Sequence, residues 1–273
     1  MGACEGRVAL VTGASRGIGA AIAERLASEG AAVALVARSL DAHRHLPGSL
    51  RENVEELEKR GAQAVAIQAD LSDPESRAAI HGKVVESLGE VDILVNNAAA
   101  AFYMPFERFS ANRFRVAMEV NVRAPFELGQ QVLPAMRVQG RGWILNVSSY
   151  TAAKPEGPPY NEWDRTGGAL VYGLTKAALD RYTTGLAAEV YDDGIAVNSV
   201  APIAMVRTPG VEALGIAPDG IPVEPVEALA EAALALCSGE PGRLTGRLAV
   251  ATPFLKEIGR EIRSLDGRQV FRG

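Results

Sequence analysis

The feature that most constrains this chain is a glycine-spaced turn close to its start. Val8–Thr12 (VALVT) is a short apolar run, and Ile18–Ser28 carries a helical pattern. Between them stands Thr12-Gly13-Ala14-Ser15-Arg16-Gly17-Ile18-Gly19. Glycines at such a junction permit a tight turn and a close approach of backbone to a bulky anion. The first turn of the following helix offers unpaired N–H groups and a partial positive charge. A bare glycine pattern is a common turn. The flanking strand and helix make this one the opening of a βαβ unit, and they make Gly13, Ser15, Arg16, Gly17, Ile18 and Gly19 candidates for holding a pyrophosphate.

The rest of the chain keeps the same rhythm. Apolar runs at Ala32–Ala37, Gln63–Ala69, Val91–Val95, Gly142–Val147, Ile195–Val200 and Arg247–Ala251 read as strands. Leu50–Arg60, Pro74–Leu88, Val171–Tyr191 and Pro225–Cys237 read as helices, and Ala111–Arg137 as one long helix. The strand runs are continuously apolar rather than alternating, which predicts cover on both faces. The order predicts an α/β chain: a single doubly wound parallel sheet of about seven strands with helices on both faces. A length of 273 residues suits one domain over 1–273. Two stretches read as loops, Ser39–Ser49 and Thr151–Ala169. The second is too long for an ordinary turn and looks inserted, on the substrate side of the fold.

Composition removes several function classes. Lys and Arg number 28 against 33 Asp and Glu, a net charge of −5, and no basic block is present. That pattern argues against a nucleic-acid or anionic-membrane partner. Cys4 and Cys237 make neither a disulfide framework nor a metal knuckle, and His43, His45 and His81 have no metal-ligand spacing. No apolar run is long enough to span a bilayer, and the first residues do not read as a leader, so the expected location is the cytoplasm.

The second strand ends in Ala37-Arg38-Ser39. A carboxylate there would accept from a ribose 2′-hydroxyl and repel a 2′-phosphate; Arg38 can instead pair with that phosphate in a forked geometry. Arg16 could assist it. His43, Arg44 and His45 follow in what reads as a mobile polar loop.

Tyr172 and Lys176 lie four apart in the expected Val171–Tyr191 helix, on one face. A tyrosine ordinarily titrates near 10, too high for base work at neutral pH. An ammonium about 4 Å away, at an effective dielectric near 20, would favour the phenolate by up to ~4 kcal/mol. The expectation is therefore a lowered Tyr172. Ser148-Ser149 ends the fifth strand, where a hydroxyl can bond a substrate oxygen. Asn96-Asn97-Ala98-Ala99 follows the fourth strand. Asn121 sits inside a helix, where capping or local backbone bonding is the plain explanation.

Together these residues resemble the short-chain dehydrogenase/reductase family in its single-domain form, from about Gly6 to about Val250. Thr12 to Gly19 match its T-G-x-x-x-G-x-G, Asp70 followed by Leu71 its adenine-side Asp, and Asn96 to Ala99 its N-N-A-G. Asn121, Ser149, Tyr172 and Lys176 match its catalytic set. The resemblance implies NADP(H), with NAD(H) the lesser expectation given Ala37-Arg38. It implies hydride exchange with a small carbonyl or alcohol. Tyr172 would exchange the proton, Ser149 orient the carbonyl, Lys176 bind the nicotinamide ribose and Asn121 support a proton relay. Asn97, Ala98, Ala99, Pro202 and Thr208 fall at cofactor-contact positions. A homo-oligomer, tetramer or dimer, is implied as well.

The sequence departs from the family in places. Ala99 replaces the last glycine of N-N-A-G. Ser149 and Tyr172 are 23 positions apart, far more than usual. Tyr160 is a rival tyrosine, but Asp164 stands where its lysine would be. Ile203 follows Pro202 where glycine is usual, Thr208 comes one residue late, and Thr252-Pro253-Phe254 replaces Asp-Gly-Gly. The Pro47-Gly48-Ser49 loop has some similarity to a hydroxysteroid-dehydrogenase-like branch. These departures leave a second reading open, a catalytically weak nucleotide-binding sensor or scaffold.

Overall fold

A computed structural model describes residues 2–41, 47–206, 208, 211 and 223–272. Seven parallel strands form one sheet: β1 (Val8–Thr12), β2 (Ala32–Ala37), β3 (Ala64–Gln68), β4 (Ile93–Asn96), β5 (Gly142–Val147), β6 (Ile195–Ala201) and β7 (Leu248–Val250). Their order is β3-β2-β1-β4-β5-β6-β7. The direction of strand addition reverses between β1 and β4, so the connections from their C-terminal ends diverge and open a crevice there. β1, β4 and β5 are buried along their whole length, as continuous apolar runs require. One core lies on each face, around Ile22, Leu26, Leu229 and Phe254 on one side and Leu10, Ile80, Leu128 and Val132 on the other.

Three helical expectations need correction. The stretch read as one helix over Ala111–Arg137 is Ala111–Met118, a π-turn at Glu119–Arg123, and Ala124–Gln139. Pro125 explains the break: it has no N–H for the carbonyl of Asn121, and its ring crowds that carbonyl. Pro74–Leu88 divides into Pro74–Ala78 and Ile80–Leu88. Arg77, fully buried in the first piece, is anchored by the Leu71 carbonyl and by Glu119 and Glu127. A short helix at Ala251–Glu257 was not expected, because Pro253 reads as a breaker although the first turn of a helix tolerates it. The 151–169 segment is not wholly irregular either, since Glu162–Thr166 forms a helix within it.

The Gly17–Ser28 helix is joined to Val226–Ser238 by a buried ion cluster. Arg25 Nε donates to Glu231 Oε2 at 2.8 Å, and both side chains are 1% exposed. Arg260 pairs with the other Glu231 oxygen and Glu29 with Arg25. Removing one partner strands a charge in a dry core, which costs about 3–5 kcal/mol. Glu231→Ala is therefore expected to lower unfolding free energy by about that amount in urea titration, and a loss below ~1 kcal/mol would mean that water reaches Arg25.

Candidate active site

At the C-terminal end of β1 a threonine clamps the crevice. Thr12 Oγ1 accepts the N–H groups of Asn97 (3.0 Å) and Ala98 (3.1 Å) and donates to the Val95 carbonyl. Asn97 Nδ2 returns a bond to the Thr12 carbonyl at 2.9 Å. The glycine turn and the Asn96–Ala99 run are thereby pressed together. A Cβ on Gly13, whose φ is +67°, would lie 2.8 Å from Ala98 Cα, and one on Gly19 would lie 2.4 Å from Asn97 Nδ2. Only glycine fits at either position.

The Gly17–Ser28 helix has no side-chain cap and no acidic residue in its first turn. Its leading amides at Gly17, Ile18 and Gly19 are thus available to an anion, so the residues present fit a pyrophosphate. Thr208 packs against Gly17. Ser15 is buried beneath the turn. The Arg16 guanidinium donates to the carbonyls of Pro47 (3.1 Å) and Gly48 (2.8 Å), pinning the following loop. His43, Arg44 and His45 lie outside the described residues.

Arg38 is exposed just past β2, with no ion pair among the described residues. Its carbonyl accepts from Gln68 Nε2, which ties it to the end of β3. Asp70 sits beside it. Partial burial would raise the Asp70 carboxyl, but bonds from the Ser72 N–H and hydroxyl, with Arg38 and Arg77 nearby, hold it below the usual range. Leu71 is buried behind it.

The chemistry-bearing side chains meet at the C-terminal end of β5. Ser149 follows that strand, and Tyr172 and Lys176 come from the Leu170–Glu189 helix packed across it. Lys176 Nζ donates to the Val147 carbonyl at 2.7 Å and lies 5.6 Å from the centre of the Tyr172 ring. Asn121, thrust inward by the π-turn and 1% exposed, bonds both backbone groups of Ala100 and Thr175 Oγ1. Thr175 passes the link to the Tyr172 carbonyl at 2.7 Å. Pro202 follows β6, whose Val200 carbonyl accepts from Ser148 N–H at 2.8 Å. All four residues of the expected catalytic set therefore converge, while Tyr160 stays exposed on the 151–169 segment.

The electrostatics differ from expectation. Burial pushes the Tyr172 phenol above its ordinary value; Tyr103 adds to this, and a hydrogen bond with Ser149 only partly opposes it. Desolvation of the phenolate is the largest cause. Lys176 is itself desolvated, which brings its ammonium down to about 8 against a partial restoring effect from Asp180. Asp180, raised by burial, accepts from Ser199 Oγ at 3.1 Å.

Residues 151–169 pack against the segment that carries Tyr103. Gly168 has φ +64°, and any Cβ there would lie 2.5 Å from Met104 N, which instead donates to the Gly168 carbonyl at 3.1 Å. Tyr103 then bridges Tyr172 (ring centres 5.5 Å) and Trp163 (6.2 Å). Sequence reasoning missed Thr12, Thr175, Asp180 and Tyr103. The first opens the glycine motif, and the next two lie three and four residues beyond Tyr172 and Lys176, where helical spacing could have found them. Tyr103 gave no signal.

A sequence model of the short chain dehydrogenase family matches residues 7–217. The chain belongs to that family. Among curated relatives of the chain, oxidoreductase UcpA of Escherichia coli K12 is 34% identical over 236 residues, 86% of the chain and 82% of the relative. Hydroxysteroid dehydrogenase-like protein 2 of Bos taurus is 30% identical over 261 residues, covering 94% of the chain. The chain spans only 59% of that bovine protein. A short chain dehydrogenase structure from Mycobacterium thermoresistibile aligns with a TM-score of 0.81 at 32% identity, over 94% of this chain and 88% of the other. A metagenomic short-chain oxidoreductase in complex with NADP aligns with a TM-score of 0.74 at 29% identity, over 92% and 99%. No helix among the described residues is long and apolar enough to cross a membrane, and no metal-ligating cluster occurs among them.

Burial of Lys176 has a measurable consequence. Its folded value of about 8 lies below the ordinary 10.5. The unfolded chain therefore binds more protons between those values, and stability from this group rises as pH climbs through that window. The cost of keeping it charged at pH 7 is about 3 kcal/mol. Lys176→Met should stabilise the fold at pH 7 by about 1–3 kcal/mol, after loss of the Val147 bond. The gain should shrink toward pH 10.5. Urea titrations at pH 7 and 10 test this, and equal or lower stability of the variant at both would contradict it.

Proposed function

We propose that this dehydrogenase catalyses NADP(H)-dependent interconversion of a small carbonyl compound and its alcohol, with Tyr172 as the general acid and base. The observation that carries the reading is the meeting of Tyr172, Ser149 and Lys176 at the end of β5, beside a crevice whose glycine turn fits a dinucleotide. The leading amides at Gly17, Ile18 and Gly19, with Gly13 and Ser15 of the turn, would hold the pyrophosphate, and Arg38, assisted by Arg16, the 2′-phosphate. Asp70 and Leu71 would flank the adenine. Asn97, Ala98 and Ala99 would floor the crevice, with Pro202 and Thr208 at the nicotinamide end. Bound NADPH supplies the hydride. Ser149 orients the carbonyl oxygen, and Tyr172 donates the proton to it. Raised by burial, the phenol stays protonated at neutral pH, the form that reduction requires. Lys176 holds the nicotinamide ribose, and Asn121 positions the Tyr172 helix through Thr175.

The NADP complex of a structural relative supports the cofactor assignment. Self-association is part of the proposal: Leu170 and Leu174 lie exposed one turn apart on the Leu170–Glu189 helix, with Phe126 exposed on Ala124–Gln139. Tyr103 lies against Tyr172 and Trp163 against Tyr103, an aromatic run that suits a carbonyl carried on an apolar, planar frame. The hydroxysteroid dehydrogenase relatives point the same way.

NADPH consumption against a panel of ketones, aldehydes and quinones tests the reading, with NADH in parallel. Tyr172→Phe should lose about 10²–10⁴ in turnover and keep its NADPH affinity. Unchanged turnover would defeat the role of Tyr172, equal use of NADH that of Arg38. Binding of NADPH without reduction of any panel member would favour the sensor or scaffold. Trp163→Ala should raise KM for a ring ketone about two- to tenfold and leave NADPH affinity alone; unchanged kinetics would retire the insert as a substrate wall.

A further inference from the structure

Glu224 is 3% exposed and has no cationic partner among the described residues. A carboxylate taken out of water is costly unless its oxygens are fully bonded. Here they are, to two distant segments. Oε2 accepts the Ile203 N–H at 2.7 Å. Oε1 accepts the Thr252 N–H at 3.0 Å and the Thr252 hydroxyl. The Glu224 N–H donates to the Met205 carbonyl at 2.9 Å, and Val223 bridges to Met205 in parallel register. One buried charge thus joins the turn after β6, the start of the Val226–Ser238 helix and the first turn after β7.

The location gives this clasp its meaning. The turn at Pro202–Ile203 leaves β6 beside β5, where Ser148 bonds the Val200 carbonyl and Lys176 the Val147 carbonyl. It is the rim of the chemistry end of the crevice, with two strands between it and β1 with its glycine turn. Ile203 and Thr252 are also two of the positions where the sequence departs from its family. The threonine hydroxyl contributes a donor that stabilises the buried carboxylate in a charge-assisted bond.

We propose that Glu224 is a positioning residue: its carboxylate fixes the Pro202–Ile203 turn against Thr252, and so sets where the nicotinamide half of the dinucleotide rests relative to Tyr172. This rests on the dinucleotide reading above. Glu224→Gln replaces one acceptor with an N–H₂ donor, so either Ile203 or Thr252 faces a donor.

The test compares NADPH with 2′,5′-ADP, which carries the adenosine half and the 2′-phosphate but no nicotinamide. Direct binding to the whole protein is measured by calorimetry, alongside steady-state KM and kcat. Glu224→Gln should weaken NADPH about tenfold and change 2′,5′-ADP less than twofold. The KM for NADPH should rise with its Kd. Thr252→Val, which keeps the N–H, should give a smaller loss in the same direction, and adding it to Glu224→Gln should cost nothing further. Should Glu224→Gln fail to fold, Thr252→Val decides by the same comparison. Equal weakening of both ligands, or of neither, overturns the assignment. A wild-type protein that binds 2′,5′-ADP but not NADPH overturns it too, whereas one that binds neither defeats the dinucleotide reading itself.

Discussion

A lysine held away from water sets the terms for this site. Lys176 is 2% exposed, yet it carries the group whose charge the neighbouring phenol would need. Its ammonium is kept there by one carbonyl, that of Val147 at 2.7 Å, and by the field of Asp180 one turn along the helix. Neither repays the lost hydration in full, and the low titration value records the difference. The cost is met by packing: the helix that carries Lys176 lies across β5 and β6, where Leu179 and Thr183 are buried with it.

The sheet makes that placement rigid. Asn96 and Asn146 face each other in register on β4 and β5, and Asn96 Nδ2 donates to Asn146 Oδ1 at 2.9 Å. Asn146 passes the chain on to Thr183 of the overlying helix. This ladder ties the two central strands to the helix of Tyr172 and Lys176 with polar bonds that have one geometry, where apolar contacts alone would allow sliding. The Thr12 clamp does the same at the next strand junction, so the glycine turn and the phenol are two ends of one fixed frame.

Much of this was legible in the sequence because it rests on local rules. Continuous apolar runs gave β1, β2 and β5 at their observed limits, since a strand covered on both faces is mostly apolar along its length. The glycine turn and the four-residue spacing of Tyr172 and Lys176 are likewise local. What escaped was set by distant partners. Nothing near Arg16 in sequence shows that its side chain also bonds the carbonyls of Pro47 and Gly48. The π-turn had a signal in Pro125, but a missing N–H shows only where a helix must adjust, not that Asn121 swings inward. The direction of the Tyr172 shift depended on burial and on Tyr103, which comes to the phenol from a distant segment.

That burial also determines how the pair can act. Burial moves the phenol up and the ammonium down, so dryness works on both groups against the charged pair, phenolate and ammonium. Ser149, whose hydrogen bond draws the phenol back, and Asp180, whose charge holds the lysine up, are the two residues that work in the opposite sense. They sit on opposite sides of the pair, one after β5 and one deeper in the helix. A charge entering the crevice would therefore act on a balance already drawn between water exclusion and two named neighbours. Residues 151–169, by packing against the segment of Tyr103, set how far that balance leans toward the neutral phenol before any substrate arrives.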